Sequence, residues 1–156
     1  ARAAVAYQGP ARALVAAWKE QGIRRAAALA ADLVADVVWR PETDALAFVP
    51  ADSDRARWRG VATAEALART LGVRWGLPVV PLLERTRRVR PQRGLARVER
   101  RENVRGAFSA TSAPGVVALV DDVYTTGATA AAAARELRRA GARAIHVVTF
   151  ARAVRH

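Results

Sequence analysis

Residues 116–129, Val-Val-Ala-Leu-Val-Asp-Asp-Val-Tyr-Thr-Thr-Gly-Ala-Thr, constrain the fold of this chain more than any other stretch. The β-formers of 116–120 have the pattern of a strand buried on both faces. Residues 130–140 are alanine-rich and strongly helical, and Gly141 supplies a stop. The segment between them therefore joins the carboxyl end of a parallel strand to the amino end of a helix, where open α/β sheets bind ligands. Unpaired N–H groups there, lined by Thr125, Thr126 and Thr129, suit a phosphate, and the helix dipole adds to the attraction. Asp121 and Asp122 would repel that phosphate if they faced it. Their oxygens suit sugar hydroxyls or a hydrated Mg2+ ion instead. The chemistry that fits is a phosphorylated sugar. A Walker-type loop fits poorly, since no Gly-Lys-Ser/Thr follows the glycine. The plain alternative is a strand–turn–helix junction with solvated aspartates and capping threonines.

The rest of the chain alternates in the same way. Gly9-Pro10 opens a helical pattern with Leu14, Val15 and Trp18 on one face. Gly22 interrupts it, a longer helix is expected over 23–38, and Pro41 ends that pattern. A short strand is predicted at 45–49, closed by Pro50, then a charged loop over 51–60. Thr63 reads as the N-cap of a helix carrying Ala66, Leu67 and Leu71. Residues 77–83 read as a strand, placed at a sheet edge by Pro78 and Pro81. Residues 84–105 are arginine-rich and read as a mobile hood, and a last strand is expected at 144–150. The fold class that follows is α/β, a central, mainly parallel sheet flanked by helices, in a single domain spanning 1–156.

Composition narrows the function classes. The chain has no cysteine, so disulfides and thiolate metal sites are excluded. No apolar run approaches a membrane span and no signal peptide precedes the first helix, so a cytoplasmic protein is the expectation. The chain opens on Ala1, not methionine, which reads as a trimmed or processed start. The net charge of +12 invites a nucleic-acid reading, but the arginines are spread along the chain, as coding bias would also spread them. Lys19 is the single lysine among 26 basic residues and marks a place where a compact ammonium is needed.

The acidic pair, two-residue spacer and Thr-Thr-Gly-Ala-Thr resemble the phosphoribosyl pyrophosphate (PRPP) motif of type I phosphoribosyltransferases. That resemblance implies the type I phosphoribosyltransferase fold. It gives Asp121 and Asp122 the ribose hydroxyls, and Thr125, Thr126, Gly127, Ala128 and Thr129 the 5′-phosphate. Mg2+ would arrive with PRPP and be held through water, with no direct protein ligand. Further segments resemble the ComF family, the phosphoribosyltransferase-like proteins associated with competence and DNA uptake in bacteria. They are Tyr7-Gln8-Gly9-Pro10 with Leu14-Val15 and Lys19; Ala47-Phe48-Val49-Pro50; Arg59-Gly60; Pro91-Gln92; Gly94-Leu95; Glu99-Arg100; Asn103-Val104; and Gly106-Ala107-Phe108. Two departures stand out. The four-cysteine zinc ribbon with which family members open is absent. Val61-Ala62-Thr63 replaces the usual Phe-Asn-Gln, removing two amides from the loop expected near the diphosphate.

A diphosphate needs cations around it. Arg55, Arg57 and Arg59, with Lys19, Arg100 and Gln92, are the candidates, and Arg101, Asn103 and Arg105 would close with them as a hood. Solvated loop arginines are the plain alternative. Tyr124 is a candidate acceptor contact that could equally pack on the sheet, and Trp58 a possible stacking surface. No general base is evident; His146 falls in a predicted strand and reads as structural, and His156 is terminal. Two functions stay open. One is PRPP binding with transfer of a phosphoribosyl group to an unidentified acceptor. The other is a non-catalytic competence factor that binds single-stranded DNA and competence-machinery proteins, with the PRPP site regulatory or degenerate. Homodimer formation is not decided by the sequence.

Overall fold

The computed structural model of this chain describes residues 1–21, 24–51, 62–86 and 106–154. Its elements are β1 (Arg2–Ala6), α1 (Gly9–Gln21), α2 (Arg24–Val37), β2 (Ala45–Phe48), α3 (Thr63–Trp75), β3 (Leu83–Arg85), β4 (Phe108–Ala110), β5 (Val116–Tyr124), α4 (Ala128–Arg139) and β6 (Ala144–Arg152). Four strands form a parallel sheet in the order β1-β6-β5-β2, and β3 and β4 form a separate antiparallel pair. The type I phosphoribosyltransferase architecture expected from the motif is the one observed, a central parallel sheet with helices packed on it.

Strand periodicity divides the core. On β5, Ala118 and Val120 face one way and pack with Val15 and Trp18 of α1, Ala30 and Val34 of α2, and Leu67 and Leu71 of α3. Val117 and Leu119 face the other way, against Ala133 and Leu137 of α4 and against Leu83 and Phe108 of the antiparallel pair. A parallel strand buried on both faces must be apolar throughout, which is why 116–120 is an unbroken run. Alanine takes the α2 positions at 26, 27, 30 and 31 that face the core. Small side chains there let the helix lie close to the sheet and to α3.

Several elements differ from the sequence pattern. β1 carries no strand signal beyond Val5 among alanines; its pairing with β6 creates it. The predicted strand at 77–83 is reduced to one parallel bridge between Val79 and Leu46, with Leu46 N–H donating to Pro78 and Val80 N–H to Leu46. Proline removes the donors on either side, so the segment edges β2 without forming a strand. The strand that follows, β3, begins at Leu83 and takes in Glu84 and Arg85 from the start of the expected hood. Residues 87–105 lie outside the described residues. β5 runs on to Tyr124 and α4 begins at Ala128, so the acidic pair lies inside the strand and Thr129 inside the helix.

Candidate functional site

β5 carries the acidic pair at its carboxyl end, and the two-residue period of the strand sends the pair to opposite faces of the sheet. Asp122 continues the row of Ala118 and Val120 toward α1 and α3. It is 7% exposed, and a buried carboxylate needs partners. Lys19 of α1 places its ammonium 2.8 Å from Asp122 Oδ2. The Thr63 hydroxyl of α3 donates to the same oxygen. Three elements therefore converge on one carboxylate. Asp121 continues the row of Val117 and Leu119 on the other face, and its Oδ1 accepts the Asp122 N–H at 2.9 Å. Burial, and then the neighbouring Asp122 charge, push the Asp121 carboxyl up to about 7. The backbone hydrogen bond, Lys19 and Arg85 pull less strongly in the opposite direction.

The chain leaves β5 through Thr125 and Thr126 and turns at Gly127, whose φ is +77°. That left-handed conformation is open to glycine at little cost. Tyr124 adds a second reason for glycine, since its hydroxyl lies where a Cβ on residue 127 would stand. Arg152 lies over the tyrosine ring, its guanidinium 5.3 Å from the ring centroid. Ala128 N–H donates to Thr126 Oγ1 at 3.3 Å, and no side chain caps the helix at Gly127. The first-turn N–H groups, the Thr126 hydroxyl and the positive end of the α4 dipole thus meet at this turn. A pocket of about 370 Å3 adjoins this turn, bounded by Tyr124, Thr126, Gly127, Ala128, Ala131, Ala132 and Arg135.

The same fold occurs in known proteins. The glutamine PRPP amidotransferase of Bacillus subtilis, solved with ADP and GMP, superposes with a TM-score of 0.58 at 25% identity, covering 81% of this chain and 26% of that one. An adenine phosphoribosyltransferase from Thermoanaerobacter pseudethanolicus superposes at 0.51 and 15% identity, over 85% of this chain and 83% of that one. The orotate phosphoribosyltransferase of Aeropyrum pernix gives 0.50 and 21%, over 83% of this chain and 60% of that one. Likenesses at these identities carry the fold. Competence protein F of Haemophilus influenzae is 36% identical over an alignment of 117 residues, with 70% of this chain and 51% of that protein covered. This chain resembles the ComF family, as its motifs imply. It spans about half the length of that curated relative. No protein-family profile matches it.

Within this ComF-type chain, the structure gathers Asp121, Asp122, Tyr124, Thr125, Thr126, Gly127, Ala128 and Thr129 at one strand end. Lys19, grouped by sequence with the diphosphate candidates, is found on Asp122. Arg55, Arg57, Trp58, Arg59, Val61, Gln92, Arg100, Arg101, Asn103, Arg105 and His156 lie outside the described residues. His146 stands on β6 and is exposed. Thr63 is not the N-cap expected of it. Ala62 takes that position without a side-chain bond, and the Thr63 hydroxyl is drawn to the buried Asp122 carboxylate instead. Sequence reasoning also missed Arg85, which contributes to the field at Asp121 from β3, and Arg152 over Tyr124. Neither has a local signal, because each reaches the site through strand pairing. Among the described residues no helix is long and apolar enough to cross a membrane, and no group of three or more His, Cys, Asp or Glu could hold a metal ion.

Proposed function

We propose that this chain binds PRPP and transfers its 5-phosphoribosyl group to an acceptor. The observation that carries the reading is the acidic pair at the end of β5 followed directly by the Gly127 turn and the open amino end of α4. In this reading the 5′-phosphate takes the N–H groups and hydroxyls of Thr125, Thr126, Gly127, Ala128 and Thr129. Ribose hydroxyls donate to Asp121 and Asp122 at the strand terminus, where both faces of the sheet can be reached. Lys19 and Thr63 hold Oδ2 of Asp122, fixing the carboxylate before any ligand arrives. Asp121, with its carboxyl near 7, exchanges a proton around neutrality and is the group available to move one.

In the transfer itself the anomeric C–O bond breaks, the diphosphate leaves with the electron pair, and the acceptor's lone pair forms the new bond to C1. The acceptor's proton passes to solvent or to a nearby base. Mg2+ fits as an ion brought by the diphosphate: two neighbouring carboxylates with oxygen donors suit its water shell, and it would neutralise charge on the leaving group. A cytoplasmic location belongs to the same reading. The second reading is a competence accessory factor that binds single-stranded DNA, supported by the likeness to Competence protein F and by the net charge of +12.

Calorimetric titration of the chain with PRPP and Mg2+ tests the first reading. Heat is expected for the wild type, with roughly 10- to 100-fold weaker binding after Thr126→Ala, the scale of one lost charge-assisted hydrogen bond. Asp122→Ala should abolish the signal. No heat from the wild type, or unchanged heat after Asp122→Ala, would sink it. A screen for diphosphate release across bases, amines and single-stranded DNA then identifies the acceptor. Single-strand binding that falls steeply with salt, without diphosphate release, would favour the second reading.

A further inference from the structure

β1 is the last strand of the parallel sheet, and among the described residues it pairs only with β6. A groove of about 790 Å3 is lined by every residue from Ala1 to Ala6. Successive strand side chains point to opposite faces, so a cavity lined by all of them takes in the strand's edge, and it reaches Tyr124 and Thr125 of β5 only around the carboxyl end of β6. Its remaining walls are Val37 and Val38 at the end of α2, and Tyr124, Thr125, Arg152, Ala153 and Val154 at the carboxyl end of the sheet.

The backbone along this edge is available. Tyr7 N–H donates to Arg152 O on β6, so the strand's alternation turns the N–H groups of Arg2, Ala4 and Ala6 away from β6 and toward the groove. Ala6 O is occupied by Gln8 N–H, which leaves the N–H and C=O of Ala4 central among the outward groups. Natural sheets protect such an edge with proline, a bulge or charge. β1, Arg-Ala-Ala-Val-Ala, has only Arg2 at one end. Apolar surface accompanies it: Val37 is 60% and Val154 53% exposed on the groove walls, and the neighbouring Trp39 is 80% exposed.

We propose that this edge is a docking slot that takes an extended, acidic segment of a partner protein as an added strand beside β1. The backbone of that segment pairs with the free groups of Ala4 and Ala6, and its alternate apolar side chains cover Val37 and Val154. Charge selects the occupant. The charged side chains that line the groove, Arg2 and Arg152, are both cationic, so acidic side chains find partners along the slot. A second copy of the chain would bring another +12 charge to the same place.

The test pans a display library of linear ten-residue peptides on the whole chain and measures the enriched sequences by fluorescence anisotropy. Enriched peptides are expected to alternate apolar residues with Asp or Glu and to lack central proline. Ala4→Pro removes an N–H that does not belong to the β6 ladder, a position that sheets tolerate. It should weaken binding about tenfold or more while circular dichroism melting shows a folded chain. Arg2→Glu, an exposed change, should selectively weaken the most acidic peptides and serves alone if the proline variant does not fold. The proposal is overturned by no enrichment, by peptides of proline-rich or basic character, or by binding indifferent to both substitutions. A dimer in sedimentation that dissociates on Ala4→Pro would replace the partner segment with a second copy and overturn it equally.

Discussion

Asp121 and Asp122 are adjacent in sequence and identical in type, yet the pleat of β5 gives them different chemistry. Asp122 is anchored by an ammonium and a hydroxyl, whereas Asp121 is enclosed with its charge opposed by burial and by Asp122. With a carboxyl near 7 in the folded chain against an ordinary value of 3.8, Asp121 keeps a proton that the unfolded chain has already lost. Between those values the folded state binds more protons, so this residue's contribution to stability falls as pH rises toward 7 and is constant above it. Asp121→Asn should therefore melt higher than the wild type at neutral pH. The gap is expected to exceed about 1 kcal/mol, to widen from pH 4 to pH 7 and to level off beyond, as thermal melts of both proteins across that range would show. A gap independent of pH would mean that the carboxyl is not raised. Gly127 makes a second residue-scale prediction. Gly127→Ala meets both the left-handed backbone and the Tyr124 hydroxyl, and should cost about 2 kcal/mol or more. In a Tyr124→Ala background only the backbone part remains, about 1 kcal/mol, so denaturant melts of the four proteins should show strong coupling.

Helix α3 shows how an element answers to its neighbours before its own propensity. Gly72 lies within its last turns, where alanine is ordinarily better by about 1 kcal/mol. Here a Cβ would run into Val79 Cγ2 and stand 3.0 Å from Leu77 O, because the 77–80 segment crosses the helix at that point. Gly72→Ala is expected to destabilise by about 1–3 kcal/mol, reversing the propensity, and a urea melt decides the sign. The amino end of the same helix gives up a side-chain cap because Thr63 serves Asp122. Thr63→Val should accordingly leave helix content unchanged while weakening PRPP binding, since what it removes is a hydrogen bond to the carboxylate. Helix α1 contributes one chemical group to the site, and Lys19→Met should weaken PRPP binding more than Lys19→Arg does, read by the same calorimetry.

At the scale of the whole molecule, the formal charge of +12 repels itself in the compact state. Raising sodium chloride from 20 mM to 300 mM shortens the Debye length to below about 10 Å and should raise the melting temperature. A fall would point to attractive ion pairs outweighing the repulsion. The sequence by itself determined the α/β class and where along the chain the candidate site falls. Unbroken apolarity in 116–120 is the signature of a strand covered on both sides, and strand, acidic pair, Thr/Gly turn and alanine helix are local features written in consecutive residues. It also marked Lys19 as unusual without saying what it touches. Only the tertiary structure decided that Lys19 and Thr63 share Asp122, that Arg85 adds to the field at Asp121 and Arg152 lies over Tyr124, and that Arg2–Ala6 is a strand at all. Each depends on residues far apart in the chain, and such contacts are set by pairing order and packing, which leave no periodic trace in any single segment.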